Sequence, residues 1–143
     1  MSEEINVSKY VILVVDDDQE IRSIIINYLS FFGFKNFTQA SDGAEAYRYI
    51  LDSTQKIDLI ISDWEMPKTD GLTLLKAVRK HTFRSKTPFI MVTSQQSQER
   101  LKITHAKRHS VDCYIVKPFR AEVLRSKVWE ALKLDQDPAL KAG

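Results

Sequence analysis

A chain of 143 residues with 43% hydrophobic and 28% charged side chains has the balance of one soluble globular domain with a sizeable core. Its net charge of +2 singles out no class of partner, and one cysteine excludes an internal disulfide. No apolar run approaches the roughly 20 residues that span a bilayer, and the polar, acidic start MSEEINVSKY has no signal-peptide pattern, so the lone thiol points to a reducing, cytoplasmic setting.

Val11 to Val15 is a continuous apolar run closed by Asp16-Asp17-Asp18, which reads as a strand and a turn. Ile21, Ile24, Ile25, Tyr28, Leu29 and Phe32 then recur at the three- and four-residue steps of an amphipathic helix, with Asp18 as N-cap and Gly33 as a left-handed stop. Asn36 to Ala40 reads as a short strand, and Ser41-Asp42-Gly43 opens a helix expected to bury Ala46, Tyr47, Ile50 and Leu51. The run Ile57-Asp58-Leu59-Ile60-Ile61 ends at Ser62 and delivers Asp63 to the carboxyl end of a strand buried on both faces. Met66-Pro67 breaks regular structure, and Asp70-Gly71 opens a helix with Leu72, Leu75 and Val78 (or Leu74) turned inward.

Pro88 starts a fourth strand, Phe89-Ile90-Met91-Val92, which ends at Thr93-Ser94. A helix is expected between Ser97 and His109, but its apolar stripe of Leu101, Ile103 and Ala106 is weak and suits a mobile element. Cys113 to Val116 is the fifth strand, ending at Lys117-Pro118, and a last helix buries Leu124, Val128 and Leu132. Five strands alternating with five helices give an α/β fold with a parallel sheet and right-handed crossovers. The pattern by itself leaves the strand order open.

In a parallel sheet, Asp16, Asp17, Asp63, Thr93 and Lys117 all fall on the carboxyl edge, where ligands bind in open α/β folds. Taken singly, the acidic pair is a helix-capping turn, Thr93 a strand-end hydroxyl and Lys117 a solvated lysine. In register they are a constellation. Three close carboxylates repel one another unless one protonates or a cation neutralises them, and Mg²⁺ is the hard, oxygen-seeking ion that fits. A lysine and a hydroxyl beside such an ion meet the needs of phosphoryl transfer, and a carboxylate can itself be the nucleophile.

Four segments in this order, VILVVDDDQEIR, ISDWEMPKTDGLTLLKAVR, FIMVTS and YIVKPF, resemble the receiver domain of two-component response regulators over roughly Tyr10 to Leu132. SDWEMP and MVTS are especially similar to the stand-alone chemotaxis regulators of that family. The resemblance implies one doubly wound, flavodoxin-like domain over residues 8–133, with strand order 2-1-3-4-5 and five helices. Residues 1–7 and 134–143 are then flexible termini, and no output domain follows. It implies Asp63 as phosphoacceptor, with Mg²⁺ held by Asp17, Asp63 and the backbone carbonyl of Glu65, and by Asp16 through water. Thr93 would hydrogen-bond the phosphoryl group, Lys117 would pair with it, and Tyr114 would turn inward as Thr93 moves. A cis Lys117-Pro118 bond is also implied. Where relatives carry Gly-Ala before the last strand this chain has Ser110-Val111, and the stretch from Thr93 to Lys117 is slightly longer than usual.

The implied function is a signalling switch, not an enzyme. A histidine kinase donates the phosphoryl group, and the face of the fourth helix, fifth strand and fifth helix binds a target such as a motor switch or a relay protein. A phosphorelay intermediate serving a histidine phosphotransfer protein is the alternative. An aspartyl-phosphate enzyme would use a carboxylate at the Glu65 spacing, but the chain offers no cap domain. Nothing after Leu132 forms a DNA-binding helix-turn-helix. A monomer is expected, with dimerisation on activation open. From Arg100 to Lys133 nine Lys or Arg face three Asp or Glu, which favours an acidic amphipathic partner near Tyr114 and Arg120. Glu65 and Gln95 are expected to flank the mouth of the site and modulate loss of the phosphoryl group. Trp64 reads as a partly exposed aromatic beside the site, Cys113 as an inert buried thiol, and His81, His105 and His109 have no metal-ligand spacing.

Overall fold

The aliphatic runs at residues 11–15, 59–63 and 89–94 become strands because each is covered on both faces, whereas the edge strands at 36–40 and 113–117 are partly exposed. The computed structural model describes residues 6–94 and 110–134. Its strands are β1 (Val11–Val15), β2 (Asn36–Ala40), β3 (Leu59–Asp63), β4 (Phe89–Ser94) and β5 (Cys113–Lys117), all parallel, in the order β2-β1-β3-β4-β5. The helices are α1 (Gln19–Phe31), α2 (Gly43–Leu51), α3 (Gly71–Lys80) and α4 (Ala121–Ala131). The described residues therefore hold four helices, against five expected. The helix expected between Ser97 and His109 lies outside them, and α4 is the helix expected as the fifth.

Alternate strand residues feed two cores. Ile12, Val14, Ile61, Ile90, Val92 and Ile115 meet Ile25 and Leu29 of α1 and Leu124 and Val128 of α4. On the opposite face Leu13, Val15, Ile60, Phe89 and Met91 meet Ala46 and Ile50 of α2 and Leu74, Leu75 and Val78 of α3. Val7 and Leu134, each one residue outside the expected domain limits, are buried in the first core.

The helix boundaries follow local chemistry. Asp18, Asp42 and Asp70 cap their helices by accepting from the backbone N–H of Glu20, Glu45 and Thr73. Gly33, at φ 105°, ends α1, with Phe34 N–H donating to Leu29 C=O and Gly33 N–H to Ser30 C=O, both at 3.1 Å. Ser110 takes the left-handed conformation (φ 61°) at the position where the resemblance implied glycine. Its carbonyl accepts from Arg79 Nε and Nη2 at 3.0 and 2.7 Å, which holds a backbone conformation that serine disfavours. The Lys117-Pro118 bond is cis, as the resemblance implied.

Several expected core residues lie elsewhere. Tyr47 and Leu51 are 40% and 49% exposed and Ile24 is 40% exposed, so the buried stripes of α1 and α2 are narrower than their periodicity. In α3 Leu74 is buried while Leu72 is half-buried, and in the last helix Trp129 displaces Leu132 from the centre. Trp129 stands edge-on to Phe34 with ring centroids 5.8 Å apart, and Arg125 lies over its ring.

The amino edge of the sheet is tightly paired. Asp58 accepts from Val11 N–H at 2.8 Å and Asp112 from Phe89 N–H at 2.7 Å, satisfying the first donors of β1 and β4. Arg84, 6% exposed, donates to the carbonyls of Tyr49, Ile50, Asp52 and Gln55, and so closes the carboxyl end of α2 and the turn after it. Arg84→Met removes these donors and strands buried carbonyls. A loss of roughly 2–4 kcal/mol is expected, read as a lower midpoint in urea unfolding, with Arg84→Lys recovering part of it.

Candidate functional site

Sheet register brings the site together. Val15 pairs with Ser62, so the residues that follow them, Asp16 and Asp63, emerge side by side. Thr93 pairs with Val116 and Ser94 with Lys117, which sets the hydroxyl and the ammonium on the adjoining strand ends. Lys117 Nζ lies 3.1 Å from Asp16 Oδ2 and 3.2 Å from Asp63 Oδ1, bridging the two carboxylates. Asp16, Asp63 and Thr93 are all buried, and Asp17 is exposed.

Burial dominates the electrostatics. It raises Asp63, aided by the neighbouring Asp16 charge, and Lys117 and the Glu65 N–H only partly offset it, so this carboxyl is pushed up to about 6. Asp16 is also raised by burial, against the N–H of Asp18 and the Lys117 ammonium. Burial works against charge on Lys117 as well, but Asp63 and Asp16 outweigh it and hold the ammonium above its ordinary value. One lysine for two buried carboxylates leaves the cluster short of positive charge. Asp16, Asp17 and Asp63 each place a carboxylate oxygen within 4.8 Å of the others. An all-oxygen donor set with excess negative charge fits Mg²⁺ by its chemistry.

The loop after β3 is held by close backbone approaches. Gly71 N–H donates to Trp64 C=O at 2.8 Å, and a Cβ at Gly71 would stand 2.4 Å from Asp63 C=O and 2.7 Å from Met91 Sδ. Glycine is required there because the first turn of α3 presses on the backbone that carries Asp63. Trp64, expected to be partly exposed, is 7% exposed and belongs to the second core. Ser94 Oγ donates to Glu65 Oε1 at 3.3 Å, placing Glu65 against the end of β4 at the rim of the site.

The remaining predicted residues divide. Thr93 points its hydroxyl to Ser94 C=O at 3.4 Å, a long bond that leaves it available. Tyr114 is 36% exposed and stands out from β5. Gln95 lies outside the described residues. Cys113 donates to Glu130 Oε2 at 3.0 Å, and burial followed by the Glu130 contact pushes the thiol up to about 12, which makes it inert as expected.

Sequence reading missed Arg22. From the first turns of α1 its guanidinium donates to Asp16 C=O and to Gln39 Oε1, tying the acidic turn to the end of β2. Its only sequence signal is its position in DDDQEIR, one turn after Asp18, and that spacing does not reveal a partner on β2.

The response regulator receiver domain family matches residues 12–129. The chain is 38% identical over 117 residues to the chemotaxis protein CheY1 of Helicobacter pylori, covering 82% of this chain and 92% of that protein. It is equally similar to the chemotaxis protein CheY of Pseudomonas aeruginosa, at 38% over 117 residues, 82% of this chain and 91% of that one. Among solved structures, the chemotaxis response regulator CheY4 of Vibrio cholerae superposes with a TM-score of 0.75 at 32% identity, covering 85% of this chain and 98% of that chain.

Two outcomes are expected. The raised Asp63 carboxyl favours folding only where it is protonated. That contribution is present below the ordinary value of 3.8 and is lost as pH rises through about 6. Without divalent ions, Asp63→Asn should therefore be more stable than wild type by about 1–3 kcal/mol at pH 7.5, with the gap closing near pH 4. Thermal unfolding across that range checks it. Gly71→Ala drives a methyl into Asp63 C=O, and should lower stability by about 2–4 kcal/mol and weaken Mg²⁺ binding measured by calorimetry.

Proposed function

The chain belongs to the response regulator receiver domain family, and on that premise we propose that Asp63 accepts a phosphoryl group from a histidine kinase and that a target protein reads the result. The bridging of Asp16 and Asp63 by Lys117 at the sheet edge supports this reading most directly. The Asp63 carboxylate attacks phosphorus in line, an O–P bond forms, the N–P bond of the phosphohistidine breaks, and its electron pair returns to the imidazole. Asp63 must be ionised to attack, and a carboxyl titrating at about 6 is ionised in most molecules at neutral pH. Lys117 neutralises charge on the incoming oxygens, and Thr93 supplies a hydroxyl to one of them. Asp17, Asp63 and the Glu65 carbonyl, with Asp16 through water, would hold Mg²⁺, which would supply the rest of the charge neutralisation. Nothing in this chemistry turns over a substrate, so the reading is a switch rather than an enzyme.

The chemotaxis relatives favour a target in motility control, recognised on the face of Tyr114, Arg120 and α4. The basic surplus there is smaller than the sequence count. Lys117 is turned into the site, and Arg125 lies over the rings of Phe32 and Trp129 at 5.6 and 4.2 Å. Among the described residues Arg120 remains for an acidic partner, with Lys133 near the end of α4, while Lys127 lies 4.0 Å from Glu130 Oε2. Transfer of the group from Asp63 to a histidine phosphotransfer protein would mark a relay instead.

Acetyl phosphate with Mg²⁺ should label the wild-type chain once, and chelation of the metal should stop it. Asp63→Asn should lose all labelling, and Lys117→Ala should keep Mg²⁺ binding while losing at least about tenfold of target affinity gained on phosphorylation. Intact-mass measurement reads the first and fluorescence anisotropy the second. A label that survives in Asp63→Asn defeats the proposal.

A further inference from the structure

Between α2 and α3, away from Tyr114 and α4, lies a half-open cleft of about 320 Å³ lined by Gly43, Ala44, Tyr47, Thr69, Thr73 and Ala77, with Leu74 at its floor. Tyr47 lines this cleft, and Leu51 lies one turn further along α2. Both were expected inside, yet they stand 40% and 49% exposed and, with Ala44, form one stripe at helical spacing on the outer face of α2. Exposed large apolar residues in a contiguous stripe beside a cleft mark a contact surface more often than scattered ones do. We propose that this cleft docks an acidic amphipathic helix of a partner protein, at a second surface separate from the Tyr114 face.

Charge selects that occupant. Lys76 and Lys80 follow Thr73 and Ala77 on the same face of α3, Arg48 adjoins Tyr47 on α2, and exposed Lys68 precedes Thr69. None of these four cations forms an ion pair among the described residues. The acidic groups at this end of the two helices are engaged: Asp42 and Asp70 cap α2 and α3, and Glu45 accepts from Ser41 N–H. An apolar cleft whose lining residues are flanked along α2, α3 and the preceding loop by cations without an ion pair among the described residues accepts a helix with an aliphatic stripe flanked by Glu or Asp, in the helix-in-groove mode. Ala44, Thr73 and Ala77 are small enough for a partner's leucine or isoleucine to enter between the helices.

The cleft also touches the loop that carries the site. A Cβ at Gly43 would meet Thr69 Cβ at 2.6 Å, so the amino end of α2 is seated directly on the loop that runs from Asp63 to α3. Docking itself does not require the phosphoryl group, and Asp63→Asn should leave it intact, so this proposal and the phosphoacceptor reading fail separately.

The test uses the full chain, isotope-labelled, titrated with a synthetic amphipathic helix of about 15 residues bearing leucines along one face and glutamates beside it. A second peptide replaces every glutamate with lysine. The glutamate peptide should shift amide signals of residues 43–51 and 69–80 and bind at least about tenfold more tightly than the lysine peptide. That preference should shrink in high salt. Lys76→Glu combined with Lys80→Glu should invert the preference, and Ala77→Trp should fill the cleft and abolish binding of both peptides. Equal binding of the two peptides, shifts centred on Tyr114 and Arg120, or no shift at millimolar peptide would each overturn the proposal. Concentration-dependent shifts in the same helices without peptide would overturn it in favour of a second copy of the chain.

Discussion

One ammonium shared by two buried carboxylates is the constraint from which the rest of the site follows. Lys117 spans from β5, across β4, to Asp63 on β3 and Asp16 after β1. It holds the central strand ends together by charge where backbone pairing has run out. Its single charge cannot satisfy both partners, and burial lifts both carboxyls above their ordinary values. The molecule thereby keeps an unsatisfied demand for positive charge at one point on its surface. A divalent ion bound by the three carboxylates would answer that demand.

The two edges of the sheet contrast for the same physical reason. At the amino edge Asp58, Asp112, Arg79 and Arg84 each meet backbone groups, and Arg79 adds an ion pair to Asp112 at 3.0 Å. Few polar groups there are left to react. At the carboxyl edge Thr93 has only a long hydrogen bond, Asp17 is exposed, and Asp63 titrates close to neutrality. Paired polar groups stabilise, whereas partly paired ones in a dry setting hold reactivity in store. The division of labour between stability and chemistry runs along the strands.

Glycine and arginine link the edges to the core. Gly71 allows α3 to press on the backbone of Asp63, and Gly43 lets α2 rest on Thr69 of the same loop. Arg22 fixes the Asp16 carbonyl from α1. The acidic cluster is thus held from both faces of the sheet.

Much of this was legible in the sequence. The five strands, the helix starts at Asp18, Asp42 and Asp70, the stop at Gly33 and the gathering of Asp16, Asp17, Asp63, Thr93 and Lys117 at one sheet edge all follow from local chemistry plus the assumption of a parallel sheet. They were readable because a strand end, an N-cap and a left-handed turn are properties of a few consecutive residues. Strand order came from resemblance, since pairing between distant segments leaves no local mark. Tertiary structure alone decided that Tyr47 and Leu51 face outward while Trp64 and Trp129 are buried, because periodicity gives the direction of a side chain but not whether anything covers it. It also decided the burial of Arg84, the reach of Arg22 to β2 and the raised Asp63 carboxyl. Each of these depends on which distant groups share a dry space, and that is set only when the chain closes on itself.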